Sequence, residues 1–510
     1  MKRISYVFLI IGVLLTFFAF FQGEFQLQES SIKSIVKPEH LSEIQAASKP
    51  MIGQKYTSIL SFGYDFQSKI DEINEGHRSK QEWNQVIYDK YTLNIAKLSA
   101  VNSSKNYLLL FIFISLLISC ILWILSDLQS HEDVKNEGVF HRNLTSQKWI
   151  SWLIAGLLIG FYILLYFAPH YLTNLILLVD PISTSLSGNH ASQWFLYGLI
   201  YTISVILMGI KFIVKYRHSK YHLARTISII FFQTCIAFML PELMSRLSMP
   251  STDLKNMWPL DYTFFFDYRI NQKIQAGTFG IFLFVWGIFL FVVGVPIMTY
   301  FFGKRWYCSW VCGCGGLAET AGDPWRQLSD KSTRAWKIER YLIHGVLAFA
   351  IIMTGMVLYT YFTGSYNIGP IQTEMLKGWY GTYVGAIFSG VIGTGLYPIF
   401  GNRVWCRFGC PLAAYLGLIQ KFKSRFRITT NGGQCISCGN CSTYCEMGID
   451  VRAYAQRGQD IVRSSCVGCG VCATVCPRGV LKLENGSVDS RKMEMPAILI
   501  GNKSFKINEK

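Results

Sequence analysis

Cysteine spacing is the feature of this sequence with the most direct chemical meaning. Two runs of four cysteines share the pattern C-x2-C-x2-C-x3-C: Cys435, Cys438, Cys441 and Cys445, then Cys466, Cys469, Cys472 and Cys476. In this pattern three thiolates converge on one [4Fe–4S] cluster, and the fourth cysteine of each run ligates the other cluster. The spacing therefore predicts a first cluster on Cys435, Cys438, Cys441 and Cys476, and a second on Cys466, Cys469, Cys472 and Cys445.

The first run departs from the usual pattern at one position. Glu446 follows Cys445 where proline is usual, whereas Pro477 follows the second run. We expect this difference to change the turn after Cys445 and not the number of ligands. Zinc is the alternative for eight cysteines, but zinc ribbons pair two C-x2-C units and lack a run ending in x3-C-P. The spacing favours iron–sulfur clusters.

A second group of cysteines lies in an internal repeat. Residues 302–312 and 400–410 align at an offset of 98 and share a phenylalanine, a glycine, an arginine and two cysteines. A C-x3-C spacing places both thiols on one face of a helix. The repeat therefore predicts two helix ends that together present four sulfurs: Cys308, Cys312, Cys406 and Cys410.

The chemistry of this second group is open at the level of sequence. Four sulfurs in a tetrahedral set suit an iron–sulfur or zinc site, and redox-active thiols or purely structural cysteines are the alternatives. Cys314 adds a fifth thiol that has no counterpart in the second copy, where Leu412 stands. A permanent disulfide is disfavoured in a reducing compartment.

Composition indicates which elements carry these cysteines. The 510 residues are 51% hydrophobic and only 15% charged, whereas soluble domains carry about 25% charge. These values exclude a disordered chain and a plain cytosolic enzyme. They predict a polytopic α-helical membrane protein. The two cysteine runs add a C-terminal α+β two-cluster ferredoxin-like domain to this prediction.

Apolar runs of about 20 residues, the length of a membrane span, recur eight times. They cover residues 6–21, 107–126, 149–173, 194–216, 226–249, 278–302, 340–363 and 379–400. The chain is predicted to begin with an uncleaved anchor (1–22) and an extracytoplasmic, mostly helical segment (23–106), followed by spans two to six (107–302). A cytoplasmic loop with the first C-x3-C motif (303–339) then leads to spans seven and eight with the second motif (340–411). A cytoplasmic ferredoxin-type domain and its tail (412–510) complete the prediction. A cleaved signal peptide is the alternative for the first run.

Basic residues predict the orientation. Residues 174–193 contain no lysine or arginine, whereas residues 211–225 contain five and residues 303–340 contain seven. Basic loops remain on the cytoplasmic side of a membrane. We therefore predict an inner (cytoplasmic) membrane protein whose N-terminus, 303–339 loop and C-terminal domain lie in the cytoplasm. The net charge of +17 is then explained by these loops, and no nucleic-acid partner is expected.

Membrane spans that end in C-x3-C(P), followed by two ferredoxin runs, resemble the NosR/NapH-type membrane polyferredoxins over residues 150–490. The resemblance implies an electron-transfer component, and not a stand-alone enzyme, that passes electrons from quinol or a cytoplasmic donor toward an extracytoplasmic respiratory reductase or its maturation. The NosR branch adds an outer FMN domain joined through a threonine. Residues 23–106 are too short for that domain and show no flavinylation motif, so FMN is not among the expected cofactors.

Two other functional classes compete with electron transfer. CcoG-like relatives share the cysteine plan and imply a metal-handling reductase for copper delivery or oxidase assembly. A transporter is suggested by eight spans and a repeat. It is disfavoured because no ionisable pair is evident in mid-span, where ion pathways usually show one.

Overall fold

A computed structural model describes residues 1–80, 85–87, 91–101, 106–129, 148–365, 367–486, 498–501 and 504–507. The chain forms two compact units. The first comprises Met1–Asp133, Gly160–Ile203 and Glu242–Ser248, and the second comprises Val134–Ile159, Ser204–Pro241 and Met249–Lys510. All thirteen cysteines from Cys308 to Cys476 belong to the second unit.

The first unit contains a small helical domain after the N-terminal helix Lys2–Phe21. Its helices are Glu29–Ile35, Pro38–Ser48, Ile59–Ser79 and Tyr91–Ser99, and strand Phe25–Gln26 pairs with Lys55–Tyr56. The Ile59–Ser79 helix buries a stripe at helical spacing, made of Ile59, Phe62, Phe66 and Ile70, as an amphipathic helix does. The described part of segment 23–106 is therefore mostly helical and has an apolar core of its own.

Six helices of the described residues are long and apolar enough to cross a membrane. They are Arg3–Phe21, Trp149–Phe167, Gln193–Lys215, Lys220–Arg246, Gly277–Phe302 and Thr333–Thr363. These six helices support the prediction of a polytopic helical membrane protein, and the predicted count of eight spans stays a prediction. The second predicted span lies on helix Asn106–Gln129, whose apolar part Tyr107–Trp123 is shorter. The eighth lies on helix Thr373–Trp379 and its continuation Tyr380–Ile392.

Three apolar helices contain π-helical segments: Phe232–Met239, Leu290–Gly294 and Tyr380–Ile392. Each π segment, or the residue beside it, contacts a loop or helix next to the membrane cysteines. Buried Gln233 donates from Nε2 to the Val311 carbonyl at 2.9 Å, the Tyr415 hydroxyl donates to the Phe291 carbonyl at 3.1 Å, and Phe388 packs edge-on against Trp405. π segments in helices frequently mark functional sites, and here they lie where the helices approach the cysteine motifs.

The sequence repeat is also a structural repeat. Helices Val295–Phe302 and Tyr397–Phe400 end at Gly303 and Gly401, whose φ/ψ angles are 69°/−179° and 93°/169°. Only glycine adopts this region without strain. A Cβ at Gly401 would lie 2.5 Å from the Ser329 Oγ, and one at Gly303 would lie 2.7 Å from the Phe426 Cβ. The shared glycine therefore gives both copies the same sharp exit from a helix.

The C-terminal region combines short helices with one strand pair. Phe426–Thr430 pairs antiparallel with Leu481–Asn485, and helices Asn440–Thr443, Val451–Gln456 and Val471–Thr474 lie between them. A second antiparallel pair joins Ile498–Gly501 and Ser504–Ile507. Residues 487–497, 502–503 and 508–510 of the predicted tail lie outside the described residues. The helix Pro411–Phe422 leads from the second cysteine motif into this region.

Candidate iron–sulfur sites

The first ferredoxin-type site is a cavity whose lining includes four cysteines: Cys435, Cys438, Cys441 and Cys476. Three of them come from the first run, and Cys476 comes from the end of the second. Gly439, at φ 82°, begins the short helix Asn440–Thr443 and lines the same cavity. The structure therefore brings together the four cysteines that the spacing groups in the first cluster.

The second site is a cavity whose lining includes the other four cysteines: Cys445, Cys466, Cys469 and Cys472. Here Cys445 crosses over from the first run. Gly468 and Gly470, both at positive φ, also line this cavity, so the backbone approaches the sulfurs closely. Each run therefore contributes its fourth cysteine to the cavity of the other run, as the pattern implies. That these cysteines bind a cluster stays a prediction.

The donor set of both cavities fits a cluster. Burial raises the pKa values of Cys441 and Cys466 to about 11. A single zinc ion with Zn–S bonds of about 2.3 Å would need sulfurs about 3.8 Å apart. Among the described residues, the one group of three or more His, Cys, Asp or Glu ligand atoms within 4.8 Å is Glu319, Glu446 and Cys469. The cysteine sulfurs are thus spread more widely than a mononuclear site needs.

The membrane motifs have the same local geometry in both copies. The Cys312 amide donates to the Tyr307 carbonyl at 2.8 Å, and the Cys410 amide donates to the Trp405 carbonyl at 2.9 Å. Cys312 is the N-cap of helix Gly313–Glu319, and Cys410 is the N-cap of helix Pro411–Phe422. The Cys410 Sγ accepts from the Ala413 amide at 3.4 Å. Cys312 accepts from the amide of Gly315, which is the equivalent position.

This geometry corrects one expectation. Cys308 ends the short helix Arg305–Cys308, while Cys312 caps the next helix, so the two thiols of a motif do not share one helix face. The i→i+5 turn before each second cysteine redirects the chain, because Gly303 and Gly401 end the preceding helices too early for a continuous one.

The four membrane cysteines are buried in one core cluster. Burial raises the pKa of Cys308 to about 12, and the adjacent Cys312 and Cys406 act in the same direction. Burial also raises the pKa of Cys410 well above its usual value, helped by Cys406, Cys312 and Cys308. Cys308, Cys406 and Cys410 are thus buried thiols with raised pKa values, and neighbouring cysteines contribute to each shift.

Cys314 gives the first motif a feature that the second lacks. Its thiol donates to the Cys312 sulfur and lowers the pKa of Cys312 to about 6. Cys314 is therefore within contact of the site, although its repeat equivalent is Leu412.

A buried ion network lies between the two cysteine groups, and sequence reasoning missed it. Glu319 accepts from Arg225 at 2.8 Å, from Arg326 at 2.9 Å and from Arg403 at 2.7 Å. All four side chains are at most 1% exposed. Although burial opposes it, the three guanidinium groups keep the pKa of Glu319 well below its usual value.

The second carboxylate of this network is Glu446, the residue that stands in place of proline. It forms ion pairs with Arg326 at 2.7 Å and with Arg403 at 2.9 Å. Burial raises its pKa, and the two arginines act against that effect. The departure from the usual motif at Glu446 was the one sequence feature that pointed to this network. The arginines themselves were counted only as basic loop residues.

Comparison with known proteins identifies the chemistry at a coarse level. Residues 434–481 match the 4Fe-4S dicluster domain family, and residues 283–332 and 383–429 match the 4Fe-4S binding domain family. The second family thus matches both copies of the membrane repeat, each of which includes one C-x3-C motif. No solved structure matches the chain.

Two curated relatives are named for electron transport or as ferredoxins. The chain is 26% identical over 157 residues to YccM of Escherichia coli (strain K12), described as an electron transport protein; the match covers 29% of this chain and 43% of YccM. It is 30% identical over 169 residues to the methylamine utilization ferredoxin-type protein MauN of Paracoccus denitrificans (strain Pd 1222), covering 32% of this chain and 56% of MauN. The chain spans about half the length of the curated relatives it matches.

These matches show 4Fe-4S binding domains in the C-terminal region and in both copies of the membrane repeat, and six described helices are long and apolar enough to cross a membrane. Electron transport is what the relatives' names say of those proteins. The matches do not distinguish the NosR/NapH type from related types. They also leave the number of clusters, the orientation in the membrane and the partners as predictions.

Proposed function

We propose that this chain is a NosR/NapH-like electron carrier of the inner membrane with three iron–sulfur sites. Two lie in the C-terminal cavities, and the third is shared by Cys308, Cys312, Cys406 and Cys410. When bound, the clusters supply one-electron oxidation and reduction. The observation that supports this proposal best is the convergence of three cysteine sets within one compact unit.

The polypeptide's role in this function is to fix the three sites relative to one another. The Ser309 hydroxyl, next to Cys308, donates to the Val467 carbonyl at 2.8 Å, next to Cys466. Gln420 donates to the Cys466 carbonyl at 2.7 Å and accepts from the Lys304 amide at 2.6 Å. These buried bonds connect the membrane motifs directly to the second cavity, which supports electron transfer within one rigid assembly and not by a mobile domain.

The proposed route starts on the cytoplasmic side. Quinol or a cytoplasmic donor reduces the C-terminal sites, and the membrane cysteines pass electrons toward an extracytoplasmic respiratory reductase or its maturation. The basic loops support this orientation through the positive-inside rule.

Sealed membrane vesicles test route and orientation together. Dithionite, an anion that crosses membranes slowly, should reduce the clusters in inverted vesicles, with the electron paramagnetic resonance (EPR) signal of reduced [4Fe–4S] as the readout. In right-side-out vesicles the same signal should need detergent. Equal reduction in both preparations would contradict the orientation, and no reduction in either would contradict the function. A quinol added to inverted vesicles distinguishes the quinol pool from a cytoplasmic donor.

Copper handling is a second candidate because of the Cys312–Cys314 contact. A thiolate and a neighbouring thiol are soft ligands of the kind that Cu(I) prefers, and the contact lowers the pKa of Cys312. Copper that purifies with the chain and is lost in the Cys314→Ser variant would favour this CcoG-like function over electron transfer.

A further inference from the structure

Glu446 lies at the contact between two different cysteine sites. It directly follows Cys445 of the second cavity and is fully buried. Its Oε2 lies 2.7 Å from the Arg326 Nη1, and its Oε1 lies 2.9 Å from the Arg403 Nη2. Asn402 also donates to its Oε2 at 3.3 Å. The carboxylate that replaces the usual proline is thus shared by two arginines from two separate segments.

Each of these arginines reaches a sulfur of a different site. The Arg326 Nη1 lies 3.9 Å from the Cys469 Sγ of the second cavity. The Arg403 Nη1 lies 3.7 Å from the Cys406 Sγ and 3.3 Å from the Cys308 carbonyl oxygen, both in the membrane motifs. Hydrogen bonds and charge at cluster sulfurs are among the factors that set a cluster's reduction potential.

The surroundings keep these charges in place. Glu319 contacts both arginines and also Arg225, which donates to the Cys469 carbonyl. Because the whole network is buried, solvent screens it little, and charge interactions there are stronger than at a surface. A change of one charge in the network is therefore felt at both cysteine sites.

We propose that Arg326, Glu446 and Arg403 form a charge triad that sets the reduction potentials of the second C-terminal cluster and of the membrane site together. The proposal rests on the proposed function, since it requires clusters at both places. Reduction adds negative charge, so a guanidinium beside a sulfur stabilises the reduced state and raises the potential. Glu446 offsets part of that effect at both sites. The three residues are positioning residues and do not themselves accept electrons.

The test is an EPR-monitored redox titration of the purified full chain in detergent. Arg326→Gln should lower the potential of the second cluster, because a positive charge is removed. Glu446→Gln should raise it, because a negative charge is removed. We expect each change to alter the reduced-to-oxidised ratio at fixed applied potential at least tenfold, which is about 59 mV for one electron. Arg326→Lys, which keeps the charge, should stay close to the unchanged chain.

Arg457→Gln is the control, because Arg457 is exposed in the same region of the chain and is not among the lining residues of either cavity. It should leave the potential of the second cluster unchanged. A merely structural triad would give shifts of one sign, or none, in Arg326→Gln and Glu446→Gln, and either result would overturn the proposal.

Two safeguards keep the test decisive. If Glu446→Gln does not accumulate, the double variant Arg326→Gln/Glu446→Gln removes the pair as a neutral unit and should shift the potential less than Arg326→Gln alone; an equal or larger shift would overturn the proposal. Failure of the proposed function is distinct, because it would appear as a chain without reducible clusters, and not as clusters with unmoved potentials.

Discussion

Cys308→Ser and Cys406→Ser are each expected to abolish electron delivery through the membrane site, and the double variant is expected to be no worse. Each motif supplies only two of the four sulfurs, and the charges of Cys308 and Cys312 act on Cys410 of the other motif, so the two motifs lie near each other. Residues that act on one site show strongly non-additive losses. The measurement is reduction of an extracytoplasmic electron acceptor by inverted vesicles supplied with reductant.

Cys314→Ser and the C-terminal clusters serve as internal controls for this prediction. Cys314→Ser should be milder, because Cys314 contacts Cys312 but has no counterpart in the second copy. The EPR signals of the two C-terminal clusters should survive in all three variants, since their ligands are separate. Two single variants that each keep half the activity, with a greater loss in the double, would return these cysteines to independent roles.

Arg403→Leu is expected to destabilise the fold by about 3–5 kcal/mol, the usual effect of removing one partner from a buried ion pair. Arg403 contacts Glu319 at 2.7 Å and Glu446 at 2.9 Å, and both carboxylates would lose a buried guanidinium. Thermal unfolding in detergent measures the effect.

The repeat supplies a matched control for that variant. Arg305 is the equivalent of Arg403 in the first copy, yet it is only partly buried, stacks on Phe426 at 4.6 Å and donates to Asn485 at 3.1 Å. Arg305→Leu should cost about 1 kcal/mol or less, as exposed cation–π and polar contacts do. Equal losses in the two variants would mean that the ion network contributes no special stability.

Cysteine spacing anticipated the composition of the C-terminal cavities because that information is local. A tight loop brings three cysteines together whatever surrounds it, and the crossing of Cys445 and Cys476 follows from the run pattern. The membrane set was also anticipated, through the repeat. Its detailed geometry was not, because the positive-φ glycines and the i→i+5 turns replace the expected single helix face.

The ion network could not be predicted from spacing. Arg225 and Glu319 are 94 residues apart, and Arg326 and Glu446 are 120 apart, so their pairing depends on tertiary packing alone. The positive-inside rule accounts for the sign of the loop charges, but it does not distinguish a solvated arginine from a buried one. Likewise, the apolar runs 107–126 and 379–400 show hydrophobicity, while helix length and π segments are decided by packing against neighbours.

Metal analysis of the anaerobically purified chain measures directly whether all three cysteine sets bind a [4Fe–4S] cluster. Three [4Fe–4S] clusters require about twelve irons and about twelve sulfides per chain, and the Cys308→Ser/Cys406→Ser variant should keep about eight of each. Identical iron contents in the unchanged chain and the double variant would mean that Cys308 and Cys406 hold no cluster. Stoichiometric zinc without iron in the unchanged chain would contradict iron–sulfur binding at all three sites.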